Sequence, residues 1–230
     1  RDYPDVEEQL PAALVTTEGI DLDPLQRKQY DAIKAGDQLS GDAKLTALVR
    51  AATLAVDADG KVVSTKLDRL LDVIANEPGQ VVALCNSRTF VRDASCRLQA
   101  YGITSGVIDS DTSEERRQGL IAAFRAGGVR VLLGTSAAER GLNLQVAALL
   151  VSVDLPWNPA VWHQRVGRIR RIGSPHASVR VLNLVANDTV EEYVSEVVYK
   201  KQSLFDLVAG AETDIKPVEI PEASKLLKGA

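Results

Sequence analysis

Residues 81–85, VVALC, form an unbroken apolar run with no polar alternation. A run of that length and kind belongs to a strand covered on both faces, as in a parallel sheet. Further strand-like stretches follow at 107–108, 129–133, 149–153 and 179–185, most of them separated by segments of helical periodicity. Strands spaced by helices of about ten residues imply βαβ units with right-handed crossovers. The expected class is therefore α/β, an open and mostly parallel sheet with helices on both faces. Ligands of such sheets bind at the carboxyl ends of the strands. The GTSAAERGLNLQ loop (134–145) directly follows the 129–133 strand, so it is expected on that edge.

Helix signals fill the intervals. Asp23-Pro24 opens a helix with Leu25, Gln29, Ala32 and Ile33 on one face. Residues 44–56 carry a second stripe, Leu45, Leu48, Val49 and Ala52, before the DADG turn at 57–60 ends it. Ser64 stands where it can cap a helix whose stripe is Leu67, Leu70, Leu71 and Ile74. Helices are also expected at 89–100, after Ser113, at 162–171, and after Thr189, where TVEE has the form of a capping box. Residues 1–60 thus read as a helical linker segment, 61–210 as the α/β domain and 211–230 as a tail.

Charge adds the first functional signal. The chain holds 31 Asp and Glu against 27 Lys and Arg, and residues 1–60 alone carry 12 acids against 6 bases. Yet Arg165, Arg168, Arg170, Arg171 and Arg180 fall in a window, 155–187, that contains no carboxylate. A basic island in an acidic chain points to phosphate. On the expected 162–171 helix, Gln164, Arg168 and Arg171 are related by i, i+4 and i+7 and form one stripe. Guanidinium groups so spaced suit a triphosphate and the charge that develops on a transferred phosphoryl. Gly167 within that helix costs about 1 kcal/mol relative to alanine, which points to a packing or ligand requirement. A solvated basic face is the competing reading of the same residues.

Other classes find no support. No apolar run approaches the roughly 20 residues of a membrane-spanning helix. Cys85 and Cys96 lack metal-ligand spacing and read as core thiols, and His163 and His176 have no partner spacing, so no metal site is expected. A reducing setting, cytoplasmic or nucleoid-associated, fits. A chain without methionine that opens on Arg1 is expected to be a piece of a longer protein.

Six ordered segments resemble one family. QRVGRIRRIGS (164–174) is similar to motif VI of superfamily 2 helicases and translocases, GTSAAERGLNLQ to motif V, and DLPWNP (154–159) to the signature between them. VVALCNSRTFV (81–91) resembles motif IV, VIDSDTSEERRQGLIAAF (107–124) the segment after it, and NDTVEEYV (187–194) the start of the closing helix. LDPLQRKQYDAI (22–33) resembles the helix after the inter-lobe linker. The nearest likeness is to the second RecA-like lobe of the Swi/Snf branch, including its bacterial RapA/HepA-like members. Ser110 and Ser174 depart from it, standing where the family usually has glycine and glutamine. No G-x-x-x-x-G-K-[ST] loop is present, since Gly60-Lys61 is followed by Val62-Val63, and no Asp-Glu pair closes an apolar strand.

The resemblance implies a RecA-like lobe of a DNA-dependent ATPase. ATP with Mg2+ would lie between a separate N-terminal lobe, which holds most of the metal's ligands, and this one. It assigns arginine fingers to Arg168 and Arg171, with Gln164 positioning water or phosphate. It places Gly141 and Asn143 at the nucleotide. Ser87, Arg88, Thr135 and Ser136 are candidate donors to backbone phosphates, and Trp157 a contact to DNA, expected to be duplex. Such phosphate contacts position a strand without reading it. The alternative is a catalytically silent module that binds nucleic acid or a partner.

Overall fold

In the computed structural model, residues 10–39, 41–139 and 143–198 are described, and all that follows concerns these. The elements in chain order are β1 (Ala12–Ile20), α1 (Pro24–Ala35), α2 (Gly41–Thr53), β2 (Ala55–Val56), β3 (Val62–Val63), α3 (Thr65–Asn76), β4 (Val81–Leu84) and α4 (Arg88–Ala100). They continue with β5 (Ser105–Ile108), α5 (Glu114–Arg125), β6 (Val131–Gly134), a 3-10 turn (Ser136–Glu139), β7 (Leu149–Ser152), α6 (Pro159–Val166) and β8 (Ser178–Ala186). A closing helix occupies 190–198.

The expected α/β architecture is present. Six strands form one sheet in the order β1-β8-β7-β4-β6-β5, and β2 pairs with β3 in a separate antiparallel hairpin. β4 is central and runs parallel to both β6 and β7, as β5 does to β6 and β8 to β7. Every residue of β4, β6 and β7 is buried, which is why their sequences are continuously apolar rather than alternating.

The chain divides into two compact units. The first comprises the described residues up to Thr16 with Leu67–Val153 and His163–Asn183. Its core includes β4, β6, β7 and the buried faces of the helices, among them Leu67, Leu70, Ile74, Phe90, Leu98 and Phe124. Side-chain caps set helix starts: the Ser113 hydroxyl accepts from Arg116 N–H, as the sequence implies, and the Ser87 hydroxyl accepts from the Phe90 N–H.

The second unit comprises Thr17–Lys66, Asp154–Trp162 and the residues from Leu184 on. Tyr30, Ala51, Ala52 and Ala186 form its apolar cluster, with Leu22, Ile33 and Leu48 packed against it. Asp23 caps α1 by accepting from the Leu25 N–H at 2.8 Å. The closing helix starts as the TVEE pattern implies, with a variation. The Thr189 hydroxyl accepts from the Glu191 N–H and donates to the Ala186 carbonyl, while the Glu192 carboxylate is bonded to the Asp188 backbone.

Four expectations need correction. Residues 12–20 form a strand, although no strand was expected before 60. β1 lies at the sheet edge and is only half-buried, with Leu14 turned outward at 55% exposure, so its hydrophobic alternation carries no contrast. The second helix stops at Thr53, and Ala55 and Val56 pair with Val63 and Val62 across the 57–60 turn. Cys85 is buried but Cys96 is exposed, because α4 buries the face of Phe90, Val91, Ala94, Ser95 and Leu98. The fourth concerns the arginine segment.

Candidate functional site

The expected 162–171 helix is α6, and it ends at Val166. Beyond it the backbone tightens into successive turns: Arg168 N–H donates to Arg165 O at 3.1 Å, Ile169 N–H to Val166 O at 3.1 Å, and Ser174 N–H to Arg171 O at 3.1 Å. Gln164, Arg168 and Arg171 are therefore not one helical stripe. Gly167 accounts for part of this. A Cβ there would stand 3.2 Å from the carbonyl oxygen of His163 and meet no neighbouring element, so the glycine terminates the helix and admits no close neighbour. Gly173 has φ +84°, a left-handed conformation that suits glycine and reverses the chain just after Arg171.

The five arginines separate by environment. Arg165 is fully buried. The Arg170 Nε donates to the Pro11 carbonyl at 3.0 Å. Arg180 is ion-paired with Glu77, whose backbone carbonyl also accepts from Arg130. Arg171 and Gln164 are exposed and Arg168 is half-buried. Arg165, Arg170 and Arg180 thus have roles within the fold, and of the two arginines named from the motif Arg171 is exposed and Arg168 half-buried; exposure alone does not separate them, since Arg180 is exposed as well.

Motif V begins where expected and ends elsewhere. Gly134 closes β6, and its missing side chain lets the following turn fold back, since a Cβ there would come within 2.3 Å of the Ala138 Cβ. Thr135 is buried; its N–H donates to Ile108 O and its carbonyl accepts from Ala138 N–H at 2.8 Å. Ser136 is exposed. Ser87, half-buried, and Arg88, exposed, follow β4 on this same carboxyl edge. Gly141 lies outside the described residues.

The segment at 143–146 is already at the opposite edge. It precedes Leu149, which pairs with the first residue of β4 and with Arg180 near the start of β8. There it is tied to the arginine-bearing turns. Leu144 N–H donates to Arg168 O at 3.0 Å, the Gln145 side-chain amide donates to Gly173 O at 2.8 Å, and the Ser174 hydroxyl donates to Gln145 O at 3.2 Å. The His176 Nε2 bonds Val146 O at 2.9 Å. From the other side, Arg125 at the end of α5 donates from both Nε and Nη2 to the Asn143 carbonyl, each at 3.1 Å. The loop was expected wholly at the carboxyl edge; it crosses from one edge to the other because β7 must start parallel to β6.

Arg88 is not an isolated cation. It is ion-paired with Asp111, within 3.8 Å of Asp109, and Arg92 joins both carboxylates. Burial pushes the Asp109 carboxyl up, but the Arg92 guanidinium, the Asp111 N–H and the Thr112 hydroxyl outweigh it and hold the group below its ordinary value. A cleft of about 430 Å³ opens here, with Arg92, Asp109, Thr112 and Arg116 among its walls. The sequence reading missed this cluster. Its signal was the DSDT turn, in which Asp109 Oδ1 accepts from the Asp111 N–H at 3.0 Å.

Trp157 is 39% exposed and Trp162 is buried. Among the described residues, no group of three or more His, Cys, Asp or Glu is placed to hold a metal, and no helix is long and apolar enough to cross a membrane.

Residues 65–173 match the helicase conserved C-terminal domain family. Over these residues the chain is similar to a helicase C-terminal domain. A Bacillus subtilis (strain 168) protein named uncharacterized ATP-dependent helicase YqhH is 32% identical over 152 residues, 66% of this chain and 27% of that protein. The ATP-dependent RNA helicase eIF4A of Candida glabrata is 32% identical over 112 residues, 49% of this chain and 28% of that protein. The chain thus spans little more than a quarter of the length of these relatives. In fold, the chain matches the C-terminal part of the Fun30 ATPase domain with a TM-score of 0.69 at 16% identity, covering 82% of this chain and 90% of that one. It matches the Sulfolobus solfataricus SWI2/SNF2 ATPase core, solved with dsDNA, with a TM-score of 0.70 at 20% identity, covering 87% and 47%. The fold is that of the RecA-like C-terminal lobe of these ATPases.

Proposed function

We propose that this chain is the C-terminal motor lobe of a DNA-dependent ATPase of Swi/Snf type, which moves along duplex DNA without reading its sequence. One observation carries the proposal. A single segment, 134–146, begins on the sheet edge of Ser87 and Arg88 and ends bonded to the turns bearing Arg168 and Arg171. Nucleic acid held at one edge and nucleotide held at the other would then be joined by one stretch of backbone.

In this reading ATP is bound mainly by an N-terminal lobe, and closure of the two lobes brings Arg168 and Arg171 to the γ-phosphoryl. Their guanidinium groups offset the charge that develops in transfer. Gln164 orients water or phosphate, and Gly141 and Asn143 approach the nucleotide. The exposed Arg171 and half-buried Arg168 fit a polyphosphate, and Mg2+ would be held by the N-terminal lobe. Ser87, Thr135 and Ser136 would donate to backbone phosphates, and Trp157 would lie against the duplex. Arg88 would exchange its Asp111 partner for a phosphate, so that DNA binding carries a modest cost at this side chain. Opening after hydrolysis would shift one lobe along the strand relative to the other.

The names of the relatives support ATP as the substrate, and the dsDNA of the Sulfolobus core supports duplex DNA. The similarity to eIF4A favours RNA as a second reading. The test uses the two-lobed protein that contains this chain. Arg171→Ala should lower DNA-stimulated kcat by about 10³-fold or more, with DNA affinity unchanged. Surviving activity would refute the finger assignment and leave a silent binding module. Stimulation by RNA but not by duplex DNA would favour the second reading.

A further inference from the structure

We infer that Gln145 is a positioning residue for Arg171, holding the turn that presents this guanidinium from a second segment of chain. The inference rests on the reading of Arg171 as a finger. Arg171 lies beyond the end of α6, so no helical hydrogen bonds fix it. What fixes its turn is a clasp of three contacts. The Gln145 side-chain amide donates to the Gly173 carbonyl at 2.8 Å, two residues past Arg171. The Gln145 carbonyl accepts from the Ser174 hydroxyl at 3.2 Å. The His176 ring closes the far side on the Val146 carbonyl at 2.9 Å.

Gln145 therefore grips the turn through both its side chain and its main chain. Its own backbone is steadied in turn, its N–H lying 3.4 Å from the Asn143 Oδ1. The gripped residue is Gly173, which adopts a φ of +84° and, lacking a Cβ, has wide backbone freedom unless held. Without the side-chain bond, the turn retains the 3.1 Å bond from Ser174 N–H to Arg171 O and the bonds of the Ser174 hydroxyl to Gln145 O and from His176 N–H, and Gly173 O loses its donor from Gln145. An arginine on a long flexible stem offsets transferring charge only if its backbone is held, and a displacement of about 1 Å costs on the order of 10²-fold in rate. The clasp acts on the turn and lies at the amino edge, away from Ser87, Thr135 and Ser136. It should therefore govern turnover and leave nucleic-acid binding alone.

The experiment compares Gln145→Ala, Gln145→Glu, Ser174→Ala and Arg171→Ala in the two-lobed protein. Gln145→Glu keeps the shape of the side chain but removes the N–H that donates to Gly173. Both Gln145 variants should lower DNA-stimulated kcat by about tenfold or more, with the KM for ATP and the DNA affinity within about twofold of the parent. Hydrogen exchange at the Ser174 amide should speed up by about fivefold, the size of one net hydrogen bond. Ser174→Ala should show the same pattern more weakly, and it keeps the test open if the Gln145 variants fold poorly. If Arg171→Ala is inactive while both Gln145 variants keep kcat within about twofold of the parent, the inference is overturned. If Arg171→Ala stays active, the finger reading itself falls. The clasp is then judged on exchange alone, where an unchanged Ser174 amide sinks it.

Discussion

Replacing Lys66 by methionine should destabilise the fold by about 3–5 kcal/mol at pH 8, the usual loss when one partner of a buried ion pair is removed. Lys66 is fully buried and Glu191 is 4% exposed. The Lys66 ammonium is bonded to Glu191 Oε2, which also accepts from the Ala186 N–H at 2.8 Å. Methionine keeps the apolar stem and removes the charge, so a buried carboxylate is left with only the Ala186 bond, while the like charge of Asp154 remains. Burial pushes the Glu191 carboxyl above its ordinary value, and the attraction of Lys66 is the largest influence opposing that rise. Removing Lys66 raises the carboxyl further.

A group whose folded-state pKa is raised lends stability below its unfolded value and loses it as pH rises through the folded value. The deficit of Lys66→Met relative to the parent should therefore be largest in alkali and shrink towards pH 5, as Glu191 takes up a proton. For a chain of this length the loss corresponds to roughly 2–4 °C of Tm per kcal/mol. Urea denaturation followed by circular dichroism at pH 8 and pH 5 measures both quantities. A loss under about 1 kcal/mol at pH 8, or one of equal size at both pH values, would refute the reasoning. The double variant Lys66→Met with Glu191→Leu should recover most of the stability, because the uncompensated charge is gone.

Other outcomes follow from the remaining clusters. The isolated 230-residue chain should hydrolyse no ATP with or without duplex DNA, and a DNA-stimulated release of phosphate from it would refute the division of labour between lobes. Asp109→Asn should cost about 2 kcal/mol at pH 7, since the buried carboxylate accepts from Arg92 at 2.6 and 3.0 Å. The Asp109 folded-state pKa is lowered, so this stability is present above the ordinary carboxylate range and is lost as pH falls through the lowered value. A loss that does not diminish in acid would argue against the ion pair as its source.

The central strands were legible because burial on both faces demands unbroken apolar runs, and 81–85 and 149–153 could satisfy that demand in no other way. Caps at Asp23 and Ser113 were legible for a similarly local reason, as one oxygen three or fewer residues from an orphan N–H decides them. β1 was not legible, because an edge strand buries too little to leave a pattern, and Leu14 faces outward. The arginine helix was misread past Val166. Periodicity could not register that Gly167 and the bond from Leu144 N–H to Arg168 O end it.

The amino-acid sequence alone thus determined the α/β class, the central strands and the identity of the motif arginines, since each depends on neighbours in the chain or on residue type. Tertiary structure alone decided the surroundings of each arginine in the island. Arg165 is buried, Arg180 meets Glu77 from 103 positions away, and Arg170 meets the Pro11 carbonyl from 159 away. It also decided that 134–146 crosses from one sheet edge to the other and grips the Arg171 turn through Gln145. Hydrogen bonds between segments so distant in sequence leave no periodicity to read; they exist only once the parallel sheet has set β6 and β7 on either side of β4 and β8 beside β7.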